Sequence, residues 1–146
     1  MAIWGYLLFA LAAGAMLPIQ FGINAQLATW VGGSVRAALV SFVVGALGLL
    51  VAVLIAARGW PERAGDAPWW VWIGGLLVAF YVLGSIVTAP KLGAATLVAL
   101  ILAGQAIASL LVDHFGWVGF EEHPITPLRV MGVLLLAGGV ALVRLS

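Results

Sequence analysis

Residues 37–57 read AALVSFVVGALGLLVAVLIAA and contain no charged side chain. An α-helix rises about 1.5 Å per residue, and the hydrocarbon core of a bilayer is about 30 Å thick. A helix over this stretch is therefore long enough and apolar enough to cross a membrane. The stretch predicts a transmembrane helix.

Four further stretches lack charge in the same way: residues 1–35, 67–90, 92–112 and 130–143. The last is the shortest, and it spans if Arg129 and Arg144 at its ends extend their head groups toward the interfaces. Only 8% of the chain is charged, where a soluble domain carries roughly a quarter. We predict an all-α integral membrane protein with five transmembrane helices in one domain, residues 1–146. The predicted helices are residues 3–30, 35–57, 69–89, 93–112 and 128–144.

Prolines and small residues refine this outline. Pro18 lies inside the first helix and removes a backbone hydrogen bond, so we expect a kink or break near residues 15–18. Pro90 predicts that the third helix ends at residues 88–89. On the second helix, Ser41, Gly45 and Gly48 are small residues of the kind that let helices pack closely.

The positive charges are balanced between the two membrane sides. With five crossings, one side carries Arg58, Arg63 and Arg129, and the other carries Arg36, Lys91 and Arg144. Loops rich in Lys and Arg usually stay cytoplasmic, so an even distribution favours insertion in both orientations. Such a dual-topology chain can form an antiparallel homodimer. The alternative is that one charge near a helix end fixes a single orientation.

Polar residues recur at helical spacing inside the apolar stretches. Gln20 and Asn24 are four residues apart and share a helix face. The third and fourth helices carry the corresponding stripes Tyr81, Ser85 and Thr88, and Gln105, Ser109 and Asp113. Polar groups in hydrocarbon need a partner or a water-lined cavity, so three such stripes indicate one hydrated cavity near the membrane midplane.

Two interpretations of these stripes stay open. The candidate substrate-binding residues are Gln20, Asn24, Tyr81, Ser85, Gln105 and Ser109. For Gln20, Asn24 and Gln105 together we favour a substrate cavity, because large amides are hard to accommodate in lipid. For Ser85, Thr88, Thr96 and Ser109 individually we favour hydrogen bonds between packed helices, and Tyr81 fits either interpretation.

No acidic or basic side chain lies in the middle of any apolar stretch. The nearest are Asp113 and His114, which are candidates for coupling transport to a proton or cation, although capping and solvation of a helix end explain them equally well. The loop residues His114, Glu121, Glu122 and His123 lack metal-ligand spacing, so we expect no metal and no cofactor. The net charge of +1 gives no reason to expect a nucleic-acid partner.

The chain contains the motifs Pro18-Ile-Gln20-Phe-Gly22-Ile-Asn24, Ser41-Phe42-Val-Val-Gly45, Gly74-Gly75, Ala89-Pro90-Lys91-Leu-Gly93, Gly104-Gln105-Ala-Ile-Ala-Ser109-Leu and Asp113-His114-Phe115-Gly116. These motifs resemble those of YdcZ-type proteins, a family of bacterial inner-membrane proteins in the drug/metabolite transporter superfamily. The resemblance covers nearly the whole chain.

The resemblance implies a half-transporter of five helices in the bacterial inner membrane. A superfamily member of ten helices has two inverted halves, so this chain would need a second copy or a paired paralogue. Small multidrug resistance exporters, a better-known neighbouring group, carry an essential glutamate in their first helix. The first helix here has Gln20 and Asn24 and no acid, so their proton-exchange mechanism does not carry over.

These observations lead to one functional hypothesis and two rivals. We predict a secondary transporter, embedded in the lipid bilayer as an antiparallel dual-topology homodimer, that exports or exchanges a small polar or amphipathic molecule. Alternating access would take place around a cavity lined by Gln20, Asn24, Tyr81 and Gln105. The rivals are a dual-topology ion channel and a non-transporting membrane assembly subunit. No nucleophile–base pair is visible, so we do not expect an enzyme.

Overall fold

The computed structural model describes residues 2–56 and 64–145. Within those residues every regular element is helical, and five helices are long and apolar enough to cross a membrane. They are α1 (Ala2–Trp30), α2 (Ser34–Ala56), α3 (Gly74–Leu92), α4 (Ala94–Phe115) and α5 (Pro127–Leu145). The prediction of an all-helical chain with five apolar helices is confirmed. Arg58 and Arg63, which enter the predicted charge balance, lie outside the described residues.

Short 3₁₀ turns flank the longer helices. One turn, Trp69–Ile73, leads directly into α3, and the others are Ala64–Asp66 and Trp117–Gly119. The exposed indole rings of Trp69 and Trp72 lie at the start of the third apolar span. Tryptophan prefers the membrane–water interface, so this turn marks the level at which the third span enters the bilayer.

The first helix continues through its proline. Residues on both sides of Pro18 belong to the 29-residue helix α1, so the helix is not interrupted at the proline. Proline removes only its own N–H from the helical ladder, and membrane helices tolerate that loss when the remaining backbone bonds are kept.

Two helices extend beyond their predicted ends. The sequence predicts that the third helix stops before Pro90, but α3 continues to Leu92 and stops only at Gly93, whose φ is +74°. A proline so close to a helix end removes a single backbone hydrogen bond, so it does not force the helix to stop. The fourth helix reaches Phe115 because Gly116 adopts the left-handed conformation and its N–H donates to the Val112 carbonyl.

The chain divides into two compact units, of which the first comprises α1, α2 and α3 through Lys91. In this first unit α1 packs along α2. The buried centre of the unit is Ala37 of α2 with Val82 and Ile86 of α3. Five partly buried hydrophobic residues and Tyr81 surround it: Leu27, Ala28, Val31, Ala38, Phe42 and Tyr81. We call these nine residues the first-unit core.

The second unit begins at Leu92 and contains α4 and α5, which pack against each other. A groove of about 360 Å³ runs between them, lined by Ala99 and Leu102 of α4 and by small and aliphatic residues of α5 that include Gly132 and Gly139. Glycine at the contact allows two helix backbones to approach closely in lipid.

Apolar side chains cover the outside of the helices. Among the described residues of α2, Ala37 alone is buried, although the helix is the most hydrophobic of the five. In water such a surface would aggregate, whereas lipid tails solvate it without cost. The exposed apolar surface therefore agrees with a chain embedded in a bilayer.

Candidate functional site

Asn24 is a buried polar residue of α1. Its side chain is only 3% exposed, and the Nδ2 amide nitrogen has no hydrogen-bond partner in the described part of the chain. Phe21, one turn earlier on the same face, is also buried. The amide is therefore buried while its N–H groups have no acceptor among the described residues.

Tyr81 of α3 brings a second unsatisfied group into the same unit. Its hydroxyl oxygen is buried and has no partner among the described residues. Tyr81 packs against Ala37, Val82 and Ile86 at the centre of the first-unit core, and its ring meets the Phe21 ring edge-on, with centroids 6.1 Å apart. Phe21 thus links Tyr81 of α3 to the face of α1 that carries Asn24.

These two groups have a definite chemical capacity. The Asn24 amide nitrogen can donate hydrogen bonds, and the Tyr81 hydroxyl can donate one and accept others. An unsatisfied buried polar group costs about 1–3 kcal/mol. Each group is therefore able to bind a polar group, or an ordered water, that enters the first unit.

Gln20, which precedes Asn24 by one turn of α1, lines a cavity of the first unit. The cavity has a volume of about 280 Å³ and is lined by Gln20 of α1, by Ser41 and Phe42 of α2, and by Val78 and Val82 of α3. Its walls are mostly apolar, with one amide and one hydroxyl. An apolar cavity with few polar groups is typical of small-molecule sites.

Ser41 is a lining residue that sequence reasoning missed. The pattern marks it only as a small residue on the same helix as Gly45, which lines the same cavity. A signal was present, because Ser41 is the only residue with a polar side chain in the apolar stretch 37–57.

The predicted hydroxyl residues bond to their own helices. Ser85 is buried, and its hydroxyl donates to the Val82 carbonyl at 2.7 Å. The Ser109 hydroxyl donates to the Ala106 carbonyl at 3.0 Å, and Thr88 donates to Gly84 at 2.7 Å. These protons satisfy backbone carbonyls, and none of these bonds joins two helices.

Gln105 and Ser109 belong to the second unit, and both side chains are exposed. Gln105 lies at the centre of α4. Gln20, Asn24 and Tyr81 all belong to the first unit. The Phe21 ring connects Tyr81 with the α1 face that carries Asn24, whereas neither Asn24 nor Tyr81 is among the residues that line the Gln20 cavity. The convergence of all three polar stripes on one cavity stays a prediction.

Asp113 and His114 lie in the last turn of α4 and form hydrogen bonds with residues of α5 and of the loop that leads to it. Arg129 Nη1 donates to Asp113 Oδ2 at 3.3 Å and also to the His123 carbonyl at 3.3 Å. The His123 N–H donates to the Asp113 carbonyl at 2.7 Å, and the Ile125 N–H donates to His114 Nδ1 at 3.3 Å. These contacts give both residues a structural role at a helix end, and their part in coupling stays a prediction.

No group of three His, Cys, Asp or Glu side chains within residues 2–56 and 64–145 is arranged to hold a metal ion. The polar groups of Gln20, Asn24 and Tyr81 are amides and a hydroxyl, which recognise ligands by hydrogen bonding.

Comparison with known proteins identifies the family. Residues 5–142 match the sequence profile of the family DMT_YdcZ, described as "Putative inner membrane exporter, YdcZ". The chain is 32% identical over 145 residues to the "Inner membrane protein YdcZ" of Escherichia coli strain K12, covering 94% of this chain and 93% of that protein. No solved structure matches the chain.

These matches confirm the resemblance found in the motifs, and the name of the family describes transport proteins rather than enzymes. The five apolar helices agree with the membrane location that both matched names give. The chain therefore belongs to the DMT_YdcZ family and is a multi-pass protein of the inner membrane.

Proposed function

We propose that the chain is a secondary transporter that exports or exchanges a small polar or amphipathic molecule, and that Asn24 and Tyr81 bind this substrate with Gln20 beside them. The observation that carries the proposal is the pair of buried polar atoms, Asn24 Nδ2 and Tyr81 Oη, that lack partners in the described chain. Membrane proteins rarely keep such groups without a use, because no lipid atom can satisfy them.

The absence of nearby charge narrows the class of substrate. The charged residues described in the first unit are Arg36, Asp66 and Lys91, and all lie at or beyond helix ends. A site built from amides and a phenol recognises its ligand by hydrogen bonds rather than by a fixed counter-charge. The proposed substrate therefore presents an uncharged acceptor to Asn24 and an apolar body to the walls of the cavity.

We also propose that the transporter is an antiparallel homodimer with dual topology and works by alternating access. Two observations support this. The Gln105 amide is exposed at the centre of a transmembrane helix, where it needs a polar partner. The positive charges are evenly divided between the predicted sides of the membrane, which favours two orientations.

A ligand screen tests the substrate site. The protein, purified in detergent, is screened by thermal shift against a library of small polar and amphipathic compounds, and hits are then followed as efflux from proteoliposomes. Asn24→Leu and Tyr81→Phe should abolish the shift produced by a hit. Ser85→Ala is the matched control, because its hydroxyl already donates to the Val82 carbonyl. A thermal shift by the same compound that persists in both site variants would contradict the proposed site.

Cysteine labelling tests the topology. The chain contains no cysteine, so one cysteine added at the C-terminus gives a single reporter. In sealed vesicles, an impermeant thiol reagent should label about half of the molecules, and the remainder should react only after permeabilisation. Labelling from one side alone would show a unique orientation for the chain expressed by itself.

A further inference from the structure

A second cavity of the first unit opens where α1 and α3 end and α2 begins. Its volume is about 420 Å³. Ala25, Ala28, Ile86 and Pro90 are among the apolar residues of its wall, and Thr29, Ser34 and Lys91 provide its polar groups. The cavity thus has an apolar wall and a polar rim at one end of the membrane-spanning helices.

The rim is cationic. Lys91 lines the cavity and is exposed in the last turn of α3. Arg36, exposed in the first turn of α2, is not among the lining residues, and its guanidinium donates to the Val31 carbonyl at 3.3 Å. Asp66, the only acidic residue described in the first unit, precedes the opposite end of α3. No described carboxylate pairs with Lys91. Two cations therefore lie at this end of the first unit without an acid on the adjoining helix turns.

The start of α2, where Ser34 lines the cavity, provides additional hydrogen-bond donors from the backbone. The first backbone hydrogen bond into α2 is from the Ala37 N–H to the Gly33 carbonyl at 3.1 Å. The N–H groups of the preceding residues, from Ser34 onward, therefore have no acceptor within the helix. Free N–H groups at a helix start attract anions, and here they add a small contribution to the attraction that Lys91 exerts on an anionic ligand.

We propose that this cavity binds one anionic phospholipid. Its phosphodiester contacts Lys91 and the Ser34 hydroxyl at the rim, and one acyl chain lies against Ala25, Ile86 and Pro90. Charge complementarity selects the anionic head group, and the apolar wall selects a lipid over free phosphate. The proposal is independent of the transport function.

Native mass spectrometry of the purified protein tests the site. The probes are phosphatidylglycerol and phosphatidylethanolamine with identical acyl chains, and inorganic phosphate serves as competitor. We expect one phosphatidylglycerol to be retained in preference to phosphatidylethanolamine, and millimolar phosphate not to displace it. Lys91→Gln should weaken retention about fivefold, the typical contribution of one lysine near an anionic membrane surface.

Two variants keep the test specific. Arg144→Gln removes an exposed cation from the last turn of α5 and should leave phosphatidylglycerol retention unchanged. Ala25→Leu narrows the apolar wall and should weaken phosphatidylglycerol retention without changing charge. Equal retention of the two lipids, displacement by phosphate, or equal losses in Lys91→Gln and Arg144→Gln would each overturn the proposal. Thermal unfolding of each variant verifies that it is folded.

Discussion

The ring of Tyr81 meets the ring of Phe21 edge-on, with the two planes inclined at 64° and the centroids 6.1 Å apart. Aromatic pairs prefer this geometry, and it is worth about 0.5–1.5 kcal/mol beyond the area that the rings bury. The contact depends on the ring and not on the phenol oxygen. The Tyr81 hydroxyl can therefore be removed without removing the contact between α1 and α3.

Tyr81→Phe should separate stability from ligand binding. The substitution keeps the ring against Phe21 and deletes a buried hydroxyl that has no partner in the described chain. We expect the free energy of unfolding to stay unchanged or to rise by about 1 kcal/mol, because an unsatisfied polar group is lost. Binding of a compound found in the thermal-shift screen should be lost. Unfolding in detergent, with and without the compound, measures both effects, and a less stable variant would show that the hydroxyl has a structural partner.

Gln105→Leu should weaken self-association. The exposed amide at the centre of α4 needs a polar partner in the membrane, and a hydrogen bond between helices contributes about 0.6–2 kcal/mol. Single-molecule photobleaching in liposomes over a range of protein densities gives the fraction of dimers. Ser109→Ala is the control on the same helix face, because the Ser109 hydroxyl donates to the Ala106 carbonyl within α4. If Gln105→Leu forms the same fraction of dimers as the wild type, Gln105 does not contribute to the dimer interface.

Gly116→Ala should destabilise the end of α4. Gly116 has φ +59°, and a left-handed residue other than glycine costs about 1–2 kcal/mol. An added Cβ would also lie 2.7 Å from Glu122 Cγ and 3.3 Å from the Phe120 carbonyl oxygen. Thermal unfolding should show the loss, and the Glu122→Ala background should reduce it by removing the first of these contacts.

Gly104→Ala provides the matched comparison for Gly116→Ala. Gly104 lies inside the same helix, and an added Cβ there would meet nothing within 4 Å. Alanine is favoured over glycine inside a helix by about 1 kcal/mol, so this variant should be as stable as the wild type or slightly more stable. Similar destabilisation by both substitutions would show that backbone conformation is not the cause.

The ion pair between Asp113 and Arg129 should contribute little by itself. The two side chains are 31% and 37% exposed, and their closest atoms are 3.3 Å apart. Partly exposed pairs contribute about 0–1 kcal/mol, so a double-mutant cycle with Asp113→Asn and Arg129→Gln should give a coupling energy in that range. Arg129→Gln should cost more than Asp113→Asn, because Arg129 also donates to the His123 carbonyl. Hydrogen exchange of residues 117–126 should rise most in that variant, and equal exchange in both would contradict this assignment.

The number of membrane-spanning helices could be predicted from the sequence. In lipid each helix must satisfy its own backbone hydrogen bonds, so length and absence of charge are sufficient to identify a span, as in residues 37–57. Helix ends were less predictable. Helix α3 continues past Pro90 to Leu92, and α4 continues to Phe115. Each of these helices ends directly before a glycine with positive φ, Gly93 or Gly116, and the sequence alone did not identify these two glycines as the ends.

Helical spacing alone determined that Gln20 and Asn24 share a face of α1 and that Tyr81 and Ser85 recur on α3. Only the tertiary structure decided which of these polar groups are satisfied: Ser85 donates within its own helix, whereas Asn24 Nδ2 and Tyr81 Oη are buried without partners in the described chain. Spacing fixes the direction of a side chain from its own helix. Burial and partners depend on the atoms that a neighbouring helix places against it, and packing across the first unit sets those.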